Sequence, residues 1–214
     1  MPIPSCCRIC GSQINVSPII SYDGMPQSAQ QLPSESTIVH DVGITLEIVE
    51  CSCCGVVQTT NDPVPYFREV IRASAVSREM TEHRHHQFLH FVEKYQLRGK
   101  TVVEIGCGRG EYLQILAQCG VDVTGIEFGP DAVSDARNNG LNVTRMFIEK
   151  GNEIIPGGPF EGFIFLNFLE HLPDPSSVLA GIHRNLRAGG VGLVEVPNFD
   201  MIVEKSLFTE FVAD

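Results

Sequence analysis

Basic residues are scarce in this sequence. Fifteen Lys and Arg stand against 26 Asp and Glu, giving a formal net charge of −11 over 214 residues. A chain this acidic lacks the positive footprint that neutralises phosphates, which excludes general nucleic-acid binding. No uninterrupted apolar run approaches the ~18 residues that cross a bilayer, so no membrane segment is expected. The opening Met1-Pro2-Ile3-Pro4-Ser5 has neither the basic flank nor the apolar core of an export signal. Internal repeats and low-complexity tracts are missing too. With 43% hydrophobic and 19% charged residues, disorder throughout is excluded. The expectation is a cytoplasmic chain of one ordinary domain plus a small appendage. There its eight cysteines favour metal binding over disulfides.

What is present divides the chain in three. Residues 1–64 carry six of the eight cysteines, one basic and six acidic residues, and the short alternations Ile44–Val49 and Val56–Thr60. They read as a small β-rich module. Residues 65–98 are a linking helical segment, free of Gly and Pro after Pro65, with a break near Ala73–Ser77. This is the only basic stretch, and a solvated helix face is the plain reading. His83, His86 and His90 fall on roughly one face of that helix, where a solvated face is again favoured over a metal site.

Residues 99–214 alternate strand, turn and helix. Strands are expected at Thr101–Ile105, Asp122–Ile126, Asn142–Phe147, Gly162–Asn167 and Val191–Val196. Helices are expected at Glu111–Cys119, near Asp131–Asn138, and at Ser176–Leu186, the last ending at Ala188-Gly189-Gly190. Repeated βα units with apolar strands indicate an α/β fold with a doubly wound parallel sheet of about five strands.

Between the first strand and its helix stands Glu104-Ile105-Gly106-Cys107-Gly108-Arg109-Gly110-Glu111. A glycine turn there lets backbone approach a ligand closely. Glu127 closes the next strand, where a carboxylate accepts both hydroxyls of a ribose. A dinucleotide-binding turn would need glycine or alanine three residues beyond Gly108. Glu111 stands there instead, an anion at the position of a pyrophosphate. The dinucleotide reading fails on charge.

The pair Cys7-Arg8-Ile9-Cys10-Gly11 and Cys51-Ser52-Cys53-Cys54-Gly55 presents two C-x-x-C hooks, each followed by glycine. Two such hooks complete a four-sulfur shell for structural zinc from Cys7, Cys10, Cys51 and Cys54, leaving no open coordination position. Cys6 and Cys53 read as bystanders, and Cys107 and Cys119 as buried small residues. Phe165-Leu166-Asn167-Phe168-Leu169-Glu170-His171-Leu172-Pro173-Asp174-Pro175 lies at the end of the fourth strand, where open α/β sheets place ligands. His171 is the histidine of that rim and so the candidate general base, with Glu170 beside it. Structural capping by both is the competing reading. Pro197 and Asn198, after the fifth strand, are acceptor contacts or a plain strand exit.

The E-x-G-x-G-x-G turn with Glu127 in register resembles class I S-adenosylmethionine-dependent methyltransferases, which have a Rossmann-like sheet. That resemblance implies donor binding by Glu104, Gly106, Cys107, Gly108, Gly110, Glu127, Phe128, Phe147 and Asn167. With the zinc hooks in front, the whole order of parts is similar to bacterial nucleotide-sugar C-methyltransferases: a zinc-ribbon-like module, the methyltransferase core, then a further α/β domain. The acceptor it implies is a nucleotide-linked keto sugar, methylated on the carbon beside the keto group. In that group a tyrosine-containing segment follows the zinc module, whereas Val70–Ser77 here has no tyrosine. The group's acid–histidine pair is expected just after a stretch like Phe208–Asp214, where this chain stops. A C-terminally truncated form is therefore expected, with an uncovered sheet edge open to self-association. Two other readings stay open. One is O- or N-methylation of a small molecule, which proximity alone supports. The other is a non-catalytic zinc-ribbon interaction module on a degenerate domain.

Overall fold

The computed structural model describes residues 6–27, 33–64, 66–69 and 76–207. Residues 70–75 of the Val70–Ser77 stretch and all of Phe208–Asp214 lie outside them. The chain forms two compact units. The first comprises Met1–Val70, Glu170–Ser176 and Pro197–Asp214, and the second Ile71–Leu169 and Ser177–Val196.

The second unit holds five parallel strands: β4 (Thr101–Ile105), β5 (Asp122–Glu127), β6 (Val143–Arg145), β7 (Phe160–Leu166) and β8 (Leu186–Glu195). Their order is β6-β5-β4-β7-β8. Strand order thus reverses beside β4, between β5 and β7. In a doubly wound sheet the carboxyl ends at that reversal open onto the ligand crevice. Helices α2 (Glu111–Gln118), α3 (Pro130–Asn138) and α4 (Pro175–Arg184) follow β4, β5 and β7. Pro130 starts α3 because its missing N–H is one the first turn does not use.

Helix α1 (Arg78–Lys94) begins where the Ser77 hydroxyl accepts the Met80 N–H at 3.0 Å. Its buried residues Arg84, Phe88, Phe91 and Val92 recur at helical spacing. The three apolar ones join Leu97, Val102, Ile115, Leu116, Ile164 and Leu166 in one cluster. Phe88 is wholly buried, a burial worth about 1.5–3 kcal/mol. The segment expected as a linker is core to this unit.

One element differs from expectation. Helix α4 ends at Arg184, and β8 begins at Leu186 rather than Val191. Leu186 pairs with Phe160 and Val191 with Gly162, so Arg187–Gly190 forms an irregular step inside the strand. Gly189, at φ 78°, serves that step and not a helix stop.

The first unit contains the antiparallel sheet β1 (Ile20–Pro26), β2 (Gly43–Glu50) and β3 (Val57–Thr59), paired in that order. It also contains the short helix α5 (Phe199–Glu204), capped by Asn198 accepting from Met201 N–H. Neither β1 nor α5 was expected from the pattern. Among the described residues no helix is long and apolar enough to cross a membrane.

Candidate functional site

The two cysteine hooks fold alike. In each, the glycine after the second cysteine donates its N–H to the first cysteine's carbonyl: Gly11 to Cys7 at 2.9 Å and Gly55 to Cys51 at 2.8 Å. Both glycines have positive φ, 72° and 74°. That left-handed turn explains the glycine in C-x-x-C-G. It folds each thiol pair back onto one point, and the hooks then meet. Cys7 Sγ lies 3.7 Å from Cys54 Sγ, and Cys10 Sγ lies 3.6 Å from Cys51 Sγ. All four sulfurs fall within 4.8 Å of one another. Four sulfurs bound at ~2.3 Å to one ion lie about 3.8 Å apart along each tetrahedron edge. The set fits such an ion, and all eight cysteines are free thiols.

Electrostatics agree. Hydrogen bonds with Ser12, aided by the neighbouring sulfurs, lower the Cys10 thiol to about 6. At Cys54 a bond from the Val56 backbone favours the thiolate, but burial and the sulfurs of Cys10, Cys51 and Cys7 outweigh it and push the thiol up to about 12. One ionised sulfur keeps its neighbour protonated until a cation balances both. Among the described residues these four are the only such group placed to hold a metal; His83, His86 and His90 stay exposed along α1. Within the same unit, Ser176 Oγ donates to the carbonyls of Arg8 and Ile9, at 3.2 and 3.1 Å. The Glu170–Ser176 segment is thereby tied to the first hook.

In the second unit the glycine turn follows β4 at the strand-order reversal. Gly106, Gly108 and Gly110 all have positive φ. A Cβ on Gly106 would meet the Phe168 ring at 3.0 Å, and one on Gly110 would run into the Leu141 side chain. Glu127 ends β5, and its carboxylate spans to the turn. Oε2 accepts the Gly108 N–H at 2.9 Å, while Oε1 accepts from Phe128 and Gly129, both at 2.8 Å. Three of its roughly four acceptor positions are thus engaged and its direction is set. Phe128, Phe147 and Phe168 form an edge-to-face row, with centroids 6.0 and 6.3 Å apart. Glu104 is buried one residue before the carboxyl end of β4. Cys107 turns its side chain into the core with Leu113, Val133, Ala136 and Val143, so any ligand contact from it would be through its backbone.

Asn167 follows β7, is exposed, and sits at φ 47°. Glu170 and His171 lie in a half-buried turn at Leu169–His171, and both belong to the first unit. The sequence pattern did not mark Arg84, Gln87 or Glu195. Arg84, with 4% of its side chain exposed, forms a bidentate pair with Glu195, whose side chain is 30% exposed. An arginine inside a helical run reads as surface; only its partner 111 residues away makes it core.

The hydrogen bonds from Arg84, with Gln87 and Asn167 assisting against partial burial, hold the Glu195 carboxyl down at about 2. A depressed carboxyl stabilises the fold above its unfolded value near 4.5, and that contribution disappears as pH falls toward 2. Allowing for partial solvent screening, about 2 kcal/mol is at stake. Melting temperature followed from pH 7 to pH 2 should therefore drop through this window, and less steeply in Glu195→Gln. Equal slopes in both proteins would show that Glu195 carries none of the acid sensitivity.

A sequence profile of the methyltransferase domain family matches residues 75–210. The chain belongs to the methyltransferase domain family. Its second unit is the Rossmann-like sheet of class I S-adenosylmethionine-dependent methyltransferases. The ubiquinone biosynthesis O-methyltransferase of Pseudomonas paraeruginosa (strain DSM 24068 / PA7) is 38% identical over 104 residues, 46% of this chain and 44% of that relative. Its counterpart in Pseudomonas syringae pv. tomato shows the same identity and coverage. The chain spans less than half the length of these curated relatives. Among solved structures, the plantazolicin methyltransferase BpumL, in complex with a pentazolic desmethylPZN analog and SAH, superposes with a TM-score of 0.53. It is 19% identical, covering 64% of this chain and 60% of that one. At this identity the likeness shows the methyltransferase fold.

Proposed function

We propose that this chain transfers the methyl group of S-adenosylmethionine to a small-molecule acceptor. Glu104, Gly106, Cys107, Gly108, Gly110, Glu127, Phe128, Phe147 and Asn167 form the donor site. The observation that carries this reading is the Glu127 carboxylate, pinned by three backbone N–H groups beside the glycine turn. Its remaining acceptor position, fixed at a strand end, suits a ribose hydroxyl, and the aromatic row offers a planar base an apolar wall. Cys107 contributes its backbone only. When bound, the donor supplies an electrophilic methyl on a sulfonium, and acidic surroundings suit that cation.

We place the acceptor among nucleotide-linked keto sugars, because two hooks whose four sulfurs lie within 4.8 Å of one another precede the core. His171, with Glu170 beside it, takes a proton from the carbon next to the keto group onto an imidazole nitrogen. The enolate carbon bonds to the methyl as the methyl–sulfur bond breaks, and S-adenosylhomocysteine leaves. Zinc on Cys7, Cys10, Cys51 and Cys54 is structural, since four sulfurs close its shell. The working compartment is the cytoplasm, where eight thiols stay reduced. Strand β8 is the last of the strand order among the described residues, and we take its outer edge as a surface for self-association. O-methylation is the second reading, favoured by the O-methyltransferase names of the 38% identical relatives.

Calorimetric titration tests the donor site. S-adenosylhomocysteine should bind saturably near 1 μM, about −8 kcal/mol, and NAD should not bind. His171→Gln should keep that affinity within about twofold. Failure of the wild type to bind would sink the donor site; loss of binding in His171→Gln alone would sink the assignment of His171 as base.

A further inference from the structure

Arg84 carries a charge where charge is expensive. It is 3% exposed, and a buried guanidinium without partners costs several kcal/mol. Its partners form a chain of contacts. Nη1 donates to Gln87 Oε1 at 2.7 Å and to Glu195 Oε2 at 2.6 Å, and Nη2 donates to Glu195 Oε1. Gln87 Nε2 adds a bond to Glu195 Oε2 at 3.2 Å. The Tyr112 ring lies 5.0 Å from the guanidinium carbon.

The chain of contacts continues past Glu195. Asn167 donates its backbone N–H to the Glu195 carbonyl at 2.8 Å and its Nδ2 to Glu195 Oε1 at 3.1 Å. Both the main chain and the side chain of Asn167 are therefore held by one residue. Asn167 stands in the left-handed region at φ 47°, which asparagine tolerates better than other non-glycine residues. Stability alone is a weak reason for the pair, because apolar side chains of similar volume often serve a core as well.

We propose that Arg84 and Glu195 are positioning residues that lock Asn167, at the carboxyl end of β7, in the geometry used to bind the methyl donor. This rests on the donor-site reading above. Neither residue touches the donor; each acts through Asn167. Arg84 fixes the Glu195 carboxylate, Glu195 accepts from the backbone N–H and the Nδ2 of Asn167, and Asn167 is exposed at the end of β7.

A double-mutant cycle on S-adenosylhomocysteine affinity separates this role from plain support of the fold. Glu195→Gln and Asn167→Ala should each weaken binding about tenfold. If Glu195 acts through Asn167, the double variant should also lose about tenfold, and Arg84→Lys should lie between wild type and Glu195→Gln. Losses that multiply to about a hundredfold, or that track melting temperature across the series, overturn the positioning role. Unchanged affinity in Glu195→Gln overturns it as well. If Glu195→Gln does not fold with Arg84 stranded, Arg84→Met combined with Glu195→Gln removes both charges and enters the same cycle. A wild-type chain that binds no S-adenosylhomocysteine overturns the donor-site reading and this proposal together. Wild-type binding with an additive cycle overturns this proposal alone.

Discussion

Exchanging Cys51 for serine should empty the proposed metal centre and unfold the β1–β3 sheet while the β4–β8 sheet holds. The reason is the small apolar cluster beside the hooks among the described residues. The buried cluster around them is Cys7, Ile14, Val49 and Cys51, with Val56 against it. Two of its four members are therefore ligands themselves. Apolar burial there contributes about 1.5–3 kcal/mol for each aliphatic side chain. Structural zinc in a four-ligand site supplies about 10–16 kcal/mol of apparent binding energy, and that energy is folding energy. Cys51 is 2% exposed, so the serine hydroxyl replaces a strong thiolate ligand in a place water does not reach. Metal analysis should fall from about one ion per chain to near zero. Hydrogen exchange should show Ile20–Pro26 and Gly43–Glu50 losing protection, and strong chelators should do the same to the wild type. A Cys51→Ser protein with unchanged metal content would end the four-cysteine assignment.

The second large effect is expected at Glu127. Glu127→Gln replaces one carboxylate oxygen with an NH2 group, which cannot accept from Gly108 or from the Phe128 and Gly129 pair. Whichever way the amide turns, at least one donor loses its acceptor (Gly108 in one orientation, Phe128 and Gly129 in the other), and an N–H is aimed at an N–H. An unsatisfied buried donor costs about 1–3 kcal/mol, and in the proposed donor site the ribose would lose a charged acceptor besides. S-adenosylhomocysteine affinity should fall about a hundredfold, or about 2.7 kcal/mol. Melting temperature should fall by only a few degrees, because β5 keeps its pairing with β4 and β6. Affinity within about threefold of wild type would remove Glu127 from the donor site.

Much of the second unit was legible in the amino-acid order for local reasons. Thr101–Ile105 was read with the bounds observed, and Asp122–Glu127 and Pro130–Asn138 each within one residue, because apolar runs and glycine turns declare themselves over a few positions. Ala188-Gly189-Gly190 has the local pattern of a helix stop; only pairing with β7 makes it an irregular step inside β8. Strand β1 carries little local signal, because Ile20–Pro26 contains both Gly24 and Pro26 and its existence depends on β2. At the candidate sites, Cys7, Cys10, Cys51 and Cys54 and the glycine turn were plain from spacing. Nothing in the spacing marked Arg84, Gln87 or Glu195.

By itself, the sequence determined what depends on neighbouring residues: the alternation of strands and helices, the positive-φ glycines, the two thiol hooks and the acid ending β5. Backbone sterics and hydrophobic periodicity act over a turn or two, and a linear pattern records them. Tertiary structure decided what depends on distance along the chain. It paired Cys7 with Cys54 and Cys10 with Cys51, turned the Cys107 side chain into the core, and set Arg84 against Glu195. Those outcomes follow from burial and charge pairing between segments brought together only by the fold, where a guanidinium without its carboxylate would be too costly to keep.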